Sequence, residues 1–137
     1  MLRIVLDTNA LIMALPRKSP YRLIFDAFLK GDILLLIDNS ILNEYVEVIE
    51  RQSDAVVANN IGDLLANSPY AIRIAVTTKW RLIETDPDDN KFVDCAIAGQ
   101  ADYIVTNDRH FNVLREIGFP PVSVISIEDF VVLISQP

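Results

Sequence analysis

The sequence predicts an α/β domain, a mainly parallel central sheet flanked by helices, because short apolar runs rich in β-branched residues alternate with segments of helical spacing. Two of those runs end in the same way. Leu2–Leu6 runs into Asp7-Thr8-Asn9, and a later strand over 103–106 runs into Asn107-Asp108. In an open parallel sheet, ligands bind outside the carboxyl ends of the strands, where strand order reverses, so the repeated ending also predicts a site.

Taken in order, Leu2–Leu6 is a short apolar strand that stops at Asp7. Residues 21–30 carry Leu23, Ile24, Ala27 and Phe28 at helical spacing, and Gly31 closes the helix. Ile33–Ile37 is a second strand. Ser40 is expected to cap a helix over 40–51, with Ile41, Tyr45, Val48 and Ile49 facing inward. Asp54 or a neighbour opens another helix, over 54–66. Residues 72–76 alternate like a strand whose place in the sheet the pattern leaves open. Pro87 suits a first helical turn, and 88–100 reads as a helix. The strands over 103–106 and 122–125 and an apolar helix over 127–134 complete a single domain over 1–137.

Of the 137 residues, 51% are hydrophobic and 23% charged, enough for a folded core. The single cysteine, Cys95, excludes an internal disulfide and reads as a buried, inert thiol in a reducing compartment. Asp7 interrupts the first apolar run before a signal-peptide core could form, and no run reaches membrane-spanning length. The expectation is a soluble, cytoplasmic protein. A net charge of −7 argues against a general nucleic-acid coat. It leaves a nuclease open, because an acidic site reverses its local sign once it holds cations.

Asp7 and Asp108 could each simply cap a following helix. The repetition, each with a threonine and an asparagine alongside, favours a shared site. Glu44 lies near the start of the helix that follows the second strand, so it can face the same cleft; Glu47 and Glu50 read as surface charge. The run Asp86-Pro87-Asp88-Asp89-Asn90-Lys91-Phe92-Val93-Asp94 opens a helix whose next turns are apolar, so its acidic end must dock on the core. Asp94 interrupts that apolar stretch and reads equally as exposed, as an outer support or as a ligand. Clustered carboxylates repel unless protons or cations offset them. Oxygen ligands favour Mg²⁺ or Mn²⁺ over zinc, and the lone His110 excludes a multi-histidine centre. Such ions serve phosphodiester hydrolysis. No serine–histidine–acid arrangement and no phosphate-binding glycine loop is legible.

Leu6-Asp7-Thr8-Asn9, Ser40-x-x-x-Glu44, the segment Asp86 to Phe92 and Ala101-Asp102-Tyr103-Ile104-Val105-Thr106-Asn107-Asp108-Arg109-His110-Phe111 together resemble the PIN-domain family. The likeness is to its small bacterial, VapC-like branch of toxin–antitoxin ribonucleases, and it covers nearly the whole chain. The last two segments, in this order and spacing, are its specific part. The resemblance implies a Mg²⁺- or Mn²⁺-dependent endoribonuclease, the toxin of a toxin–antitoxin pair, with an antitoxin partner and a homodimeric state. Carried over by position, Asp7, Glu44, Asp89 and Asp108 gather the ions, and Thr8, Asn9, Thr106 and Asn107 support them. Asn90 can occupy the place where some relatives carry the third acid, with Asp86 or Asp94 then contributing.

Arg17, Lys18, Lys91 and Arg109 are the cations available for RNA, and Lys91 and Arg109 are favoured as phosphate contacts. His110 reads first as a packing or surface residue, with leaving-group protonation as the alternative. An aspartyl phosphatase of the haloacid-dehalogenase kind is a rival, but it wants Asp-x-Asp and Asn9 stands at the second position. A receiver domain lacks its acid pair. A catalytically silent domain that binds RNA or protein is the third alternative, since fold alone does not establish activity. The apolar tail Phe130-Val131-Val132-Leu133-Ile134 and a mean hydropathy of +0.29 suggest a dimer face or an antitoxin groove.

Overall fold

The computed structural model describes residues 1–136 and contains a five-stranded sheet in the order β3-β2-β1-β4-β5, with every pairing parallel. The strands are β1 (Leu2–Leu6), β2 (Ile33–Ile37), β3 (Ala71–Arg73), β4 (Tyr103–Val105) and β5 (Val124–Ile125). The helices are α1 (Thr8–Ala14), α2 (Arg22–Lys30), α3 (Asn39–Gln52), α4 (Ala55–Asn67), α5 (Asn90–Ala98) and α6 (Ile127–Ser135). No helix among the described residues is long and apolar enough to cross a membrane.

The uninterrupted apolar runs of β1 and β2 follow from their central positions. Ile4, Val5 and Leu35 to Ile37 are buried on both faces of the sheet. After β1 the chain builds outward to β2 and β3, then returns to β4 on the other side of β1 and ends the sheet with β5. Strand order therefore reverses between β1 and β4, and the crevice at their carboxyl ends is the natural ligand position. The pairing continues one step past the strands: Asp7 N–H donates to Val105 O at 3.3 Å, and Thr106 N–H donates to Ile125 O at 3.0 Å.

Amphipathic spacing docks α3 through Ile41, Tyr45 and Ile49, all buried, whereas Val48 is half-buried. The Tyr45 hydroxyl donates to Leu6 O at 2.6 Å, which fixes α3 against the end of β1 one residue from Glu44. Gly31 closes α2 with φ 79°, and a Cβ there would lie 2.5 Å from the Tyr70 ring, so both backbone and packing require glycine.

Several boundaries differ from the sequence reading. Asp38, not Ser40, caps α3, because its carboxylate accepts from Ile41 N–H at 2.8 Å. The alternating segment 72–76 pairs as a strand only over Ala71–Arg73 at the sheet edge. The helix expected over 88–100 is a 3-10 turn, Pro87–Asp89, followed by α5, and a second 3-10 segment, Arg109–Glu116, follows β4. The strands expected over 103–106 and 122–125 are shorter than their apolar runs. The short helix α1, directly behind Asp7, had no periodicity long enough to delimit it. The helix opened by Asp54 and the apolar helix near the carboxyl end stand where they were expected.

Candidate active site

Asp7 leaves β1 with its side chain buried, and both carboxylate oxygens are engaged. Oδ1 accepts from Ala10 N–H at 2.7 Å, capping α1, and Oδ2 accepts from the Thr106 hydroxyl across the β1–β4 seam. Burial pushes the Asp7 pKa up and outweighs these two hydrogen bonds; the neighbouring charges of Asp108 and Glu44 push it further the same way. Capping and site membership are thus compatible here. The same holds for Asp108, which accepts from His110 N–H at 2.9 Å and whose own N–H donates to Thr106 Oγ1 at 3.0 Å. Thr106 therefore ties the two strand ends together. Asp7, Asn9, Asn107 and Asp108 line one cleft of about 440 Å³, with Ile12 and Met13 on its apolar side.

Glu44 approaches from α3. One of its oxygens accepts from the Thr8 hydroxyl, and the other lies 2.6 Å from Lys91 Nζ, with both side chains largely covered. Lys91, expected as a phosphate contact, is ion-paired with an acid of the cluster. Glu44, Lys91 and Asp88 line a depression of their own, so Glu44 reaches Asp7 from the side, through Thr8.

Asp89 stands at the end of the 3-10 turn that precedes α5. Its Oδ2 is enclosed and has no hydrogen-bond partner; His110 Nδ1 lies 3.4 Å away, outside hydrogen-bond geometry. Burial first, then the charges of Asp86 and Asp108, push the Asp89 pKa up to about 6, against the opposing influence of His110. His110 Nδ1 also lies 3.3 Å from Asp108 Oδ1 and 3.7 Å from Asp86 Oδ2. One ligand atom each from Asp86, Asp89 and His110 falls within 4.8 Å of the others. His110, read from sequence as surface or packing, is half-exposed yet faces three carboxylates. Its position two residues after Asp108 was the one available signal.

Two of the alternatives for the third acid have other partners. Asn90 makes a two-way clamp with the backbone of Ile83, accepting from its N–H and donating to its carbonyl, both at 2.9 Å. Asp94 is buried, not exposed, and accepts from Trp80 N–H at 3.0 Å. Burial raises its pKa and the Trp80 bond opposes the rise. Both residues fasten the irregular segment after β3 to α5. Asn107 fastens α6, accepting from Ile127 N–H at 3.0 Å and donating to Glu128 Oε1 at 3.1 Å. Glu128 was not anticipated as its partner. Asn9 and Arg109 are exposed, as are Arg17 and Lys18. Cys95 is buried, and burial pushes its thiol up to about 12, so it is inert as expected.

The donors present suit a hard divalent cation. They are carboxylates with one imidazole, one oxygen is enclosed without a partner, and Asp7 and Asp89 both carry a cost for holding charge that a cation would offset.

Acids from several elements thus stand around the switch point of an open parallel sheet. The particular family is given by sequence: the PIN domain profile matches residues 3–110, and the chain belongs to the PIN-domain family. A comparison with curated protein sequences found no match. Among solved structures, the chain is similar to one in VapBC2 from Rickettsia felis bound to a DNA fragment from their promoter. That likeness has a TM-score of 0.61 and 18% identity, over 91% of this chain and 98% of that one. It is also similar to the T. brucei RRP44 PIN domain, with a TM-score of 0.53 and 11% identity, over 98% of this chain and 82% of that one. At these identities the structural likeness concerns the fold.

Proposed function

We propose that the protein is a metal-dependent endoribonuclease, the toxin of a toxin–antitoxin pair, with Asp7, Glu44, Asp89 and Asp108 as its ion-gathering acids. The observation that carries this reading is the pairing of Asp7 and Asp108 in one cleft at the sheet's switch point, with the unpartnered Asp89 Oδ2 close enough to Asp108 to feel its charge. Asp86 and His110 extend the donor set on the Asp89 side. A Mg²⁺ or Mn²⁺ ion bound there supplies charge stabilisation to a phosphodiester and lowers the pKa of water.

The chain's own residues do the rest. Thr106 and Ala10 N–H orient the Asp7 carboxylate, and Thr8 and Lys91 orient Glu44. His110, between Asp86, Asp89 and Asp108, is positioned to hold a proton for a departing oxygen. Arg109 is the exposed cation nearest in sequence to Asp108 and is proposed as a phosphate contact. The toxin role, the antitoxin partner and a homodimeric, cytoplasmic state rest on the VapC-like resemblance. The partly exposed tail of α6, with Val132 56% exposed, is consistent with a covered face in such an assembly.

The wild type is expected to cleave single-stranded RNA in Mn²⁺ and not in EDTA. Asp108→Asn should lower that rate about a hundredfold or more, since even groups that only support metal ligands contribute roughly 10–100-fold. Hydrolysis of a generic phosphomonoester with no cleavage of RNA would favour the phosphatase alternative.

A further inference from the structure

The segment between β3 and the 3-10 turn is unlike the rest of the chain. From Ile74 to Ile83 it carries two cations, Lys79 and Arg81, and the segment's acids, Glu84 and Asp86, stand only at the end next to the turn, in a protein whose net charge is −7. It has almost no regular secondary structure after Arg73. It is nevertheless bolted to α5 by the Trp80–Asp94 bond and the two Ile83–Asn90 bonds. Arg81 holds a left-handed backbone, φ 55°, which a long side chain adopts only when its surroundings impose it.

At this segment two aromatic rings meet. Trp80 and Phe119 pack edge to face, with centroids 6.3 Å apart at 83°. Phe119 is 79% exposed, the most exposed large apolar side chain among the described residues. An edge-to-face pair leaves ring surface uncovered. Lys79 and Arg81 flank Trp80, are exposed, and form no ion pair among the described residues, although Lys79 lies near enough to the buried Asp94 to oppose the rise that burial gives its pKa. A groove of about 550 Å³ runs from Lys79 and Arg81, past Glu84, to Pro87, in the same 3-10 turn as Asp89.

We propose that Trp80 and Phe119, flanked by Lys79 and Arg81, form a platform that stacks an unpaired base of single-stranded RNA and leads the strand toward the acidic cleft. The proposal rests on the ribonuclease reading for its substrate class, and it adds a binding site outside the carboxylate cluster. Flat aromatic surface beside cations is what an unpaired nucleotide requires, a π-face for the base and positive charge for its phosphate. The fastening to α5 gives this otherwise irregular loop a fixed distance from Asp89. The acids of the cleft cannot supply this contact, because they offer no aromatic surface.

Trp80 is the only tryptophan in the chain, so its emission reports directly on the platform. In EDTA, where hydrolysis is suppressed, the full chain is titrated with a fluorescein-labelled unstructured oligoribonucleotide, with Trp80 emission measured in parallel samples holding the unlabelled strand. Emission is expected to quench with the same midpoint as the rise in anisotropy, and a duplex of the same sequence should not quench it. Phe119→Ala, at a solvent-facing position, should weaken binding about tenfold. Lys79→Ala with Arg81→Ala should reduce the slope of log affinity against log salt by about 1.4. In Mn²⁺, Phe119→Ala should raise KM for cleavage with kcat unchanged.

Saturating anisotropy without quenching, equal quenching by duplex, or no binding at all overturns the platform. A quench that appears with protein concentration alone assigns the rings to a protein interface and overturns it too. Mn²⁺-dependent cleavage that persists with an unchanged KM in Phe119→Ala refutes the platform and leaves the ribonuclease reading intact. Loss of all cleavage by the wild type, with quenching retained, refutes the ribonuclease reading alone.

Discussion

Two aspartates of the acidic segment 86–94 are put to opposite uses. At Asp94 the carboxylate is buried and capped by a backbone N–H, and its neighbour Asn90 satisfies both polar groups of Ile83. At Asp89, one turn away, a carboxylate oxygen is enclosed with no partner and faces Asp86, Asp108 and His110. A buried polar group matched by backbone is architecture, because the hydrogen bond offsets its desolvation. A buried oxygen left unmatched, whose burial and neighbouring like charges raise its pKa, is one that a positive charge would stabilise.

The sharpest way to break that contrast is to add metal. At a Mn²⁺ concentration about a hundred times its dissociation constant, the wild type should gain about 2.7 kcal/mol, read as a rise in melting temperature. Asp7→Asn combined with Asp108→Asn should abolish the gain, read against the double variant's own metal-free melting point, because Asn keeps one acceptor oxygen but cannot accept the Thr106 hydroxyl at the other. An unchanged wild-type melt in millimolar Mn²⁺ would sink the cation site.

The opposite pattern is expected at the architectural end. Asn90→Ala leaves the N–H and carbonyl of Ile83 without their partners and should cost about 2 kcal/mol of stability in chemical denaturation. The Mn²⁺ gain should persist. A variant of normal stability that has lost its metal response would move Asn90 into the ligand set.

The smallest effect is on pH. Asp89 titrates near 6 when folded and near 3.8 when unfolded, so between these values the folded chain holds the proton that the unfolded chain has released. Without metal, stability should therefore fall as pH rises from about 4 to 6 through this group, with the raised values of Asp7 and Asp94 acting in the same direction. The Mn²⁺ gain should grow over the same interval, because cation and proton compete for the carboxylate. Melting curves at pH 4.5 and 7, with and without Mn²⁺, test both signs; Asp89→Asn should flatten both trends.

Much of the fold was legible in local pattern. Apolar runs of β-branched residues ending at Asp7 and near Asp108 marked β1 and β4, and Gly31 and Asp54 marked helix ends, because strand burial and cap chemistry are properties of a few adjacent residues. Ser40 misled because Asp38, two residues earlier, competes for the same N–H groups, and only the turn geometry chooses between them.

By itself the sequence determined which strands are buried and which acids stand at their carboxyl ends, since both follow from spacing and hydrophobicity. The tertiary structure alone decided that Lys91 would meet Glu44, that His110 would face three carboxylates, and that Asp94 would hold Trp80 while Asp89 kept an unmatched oxygen. Each of those outcomes is a contact between segments separated along the chain, and whether a buried charge finds a partner depends on what the fold brings to its other side.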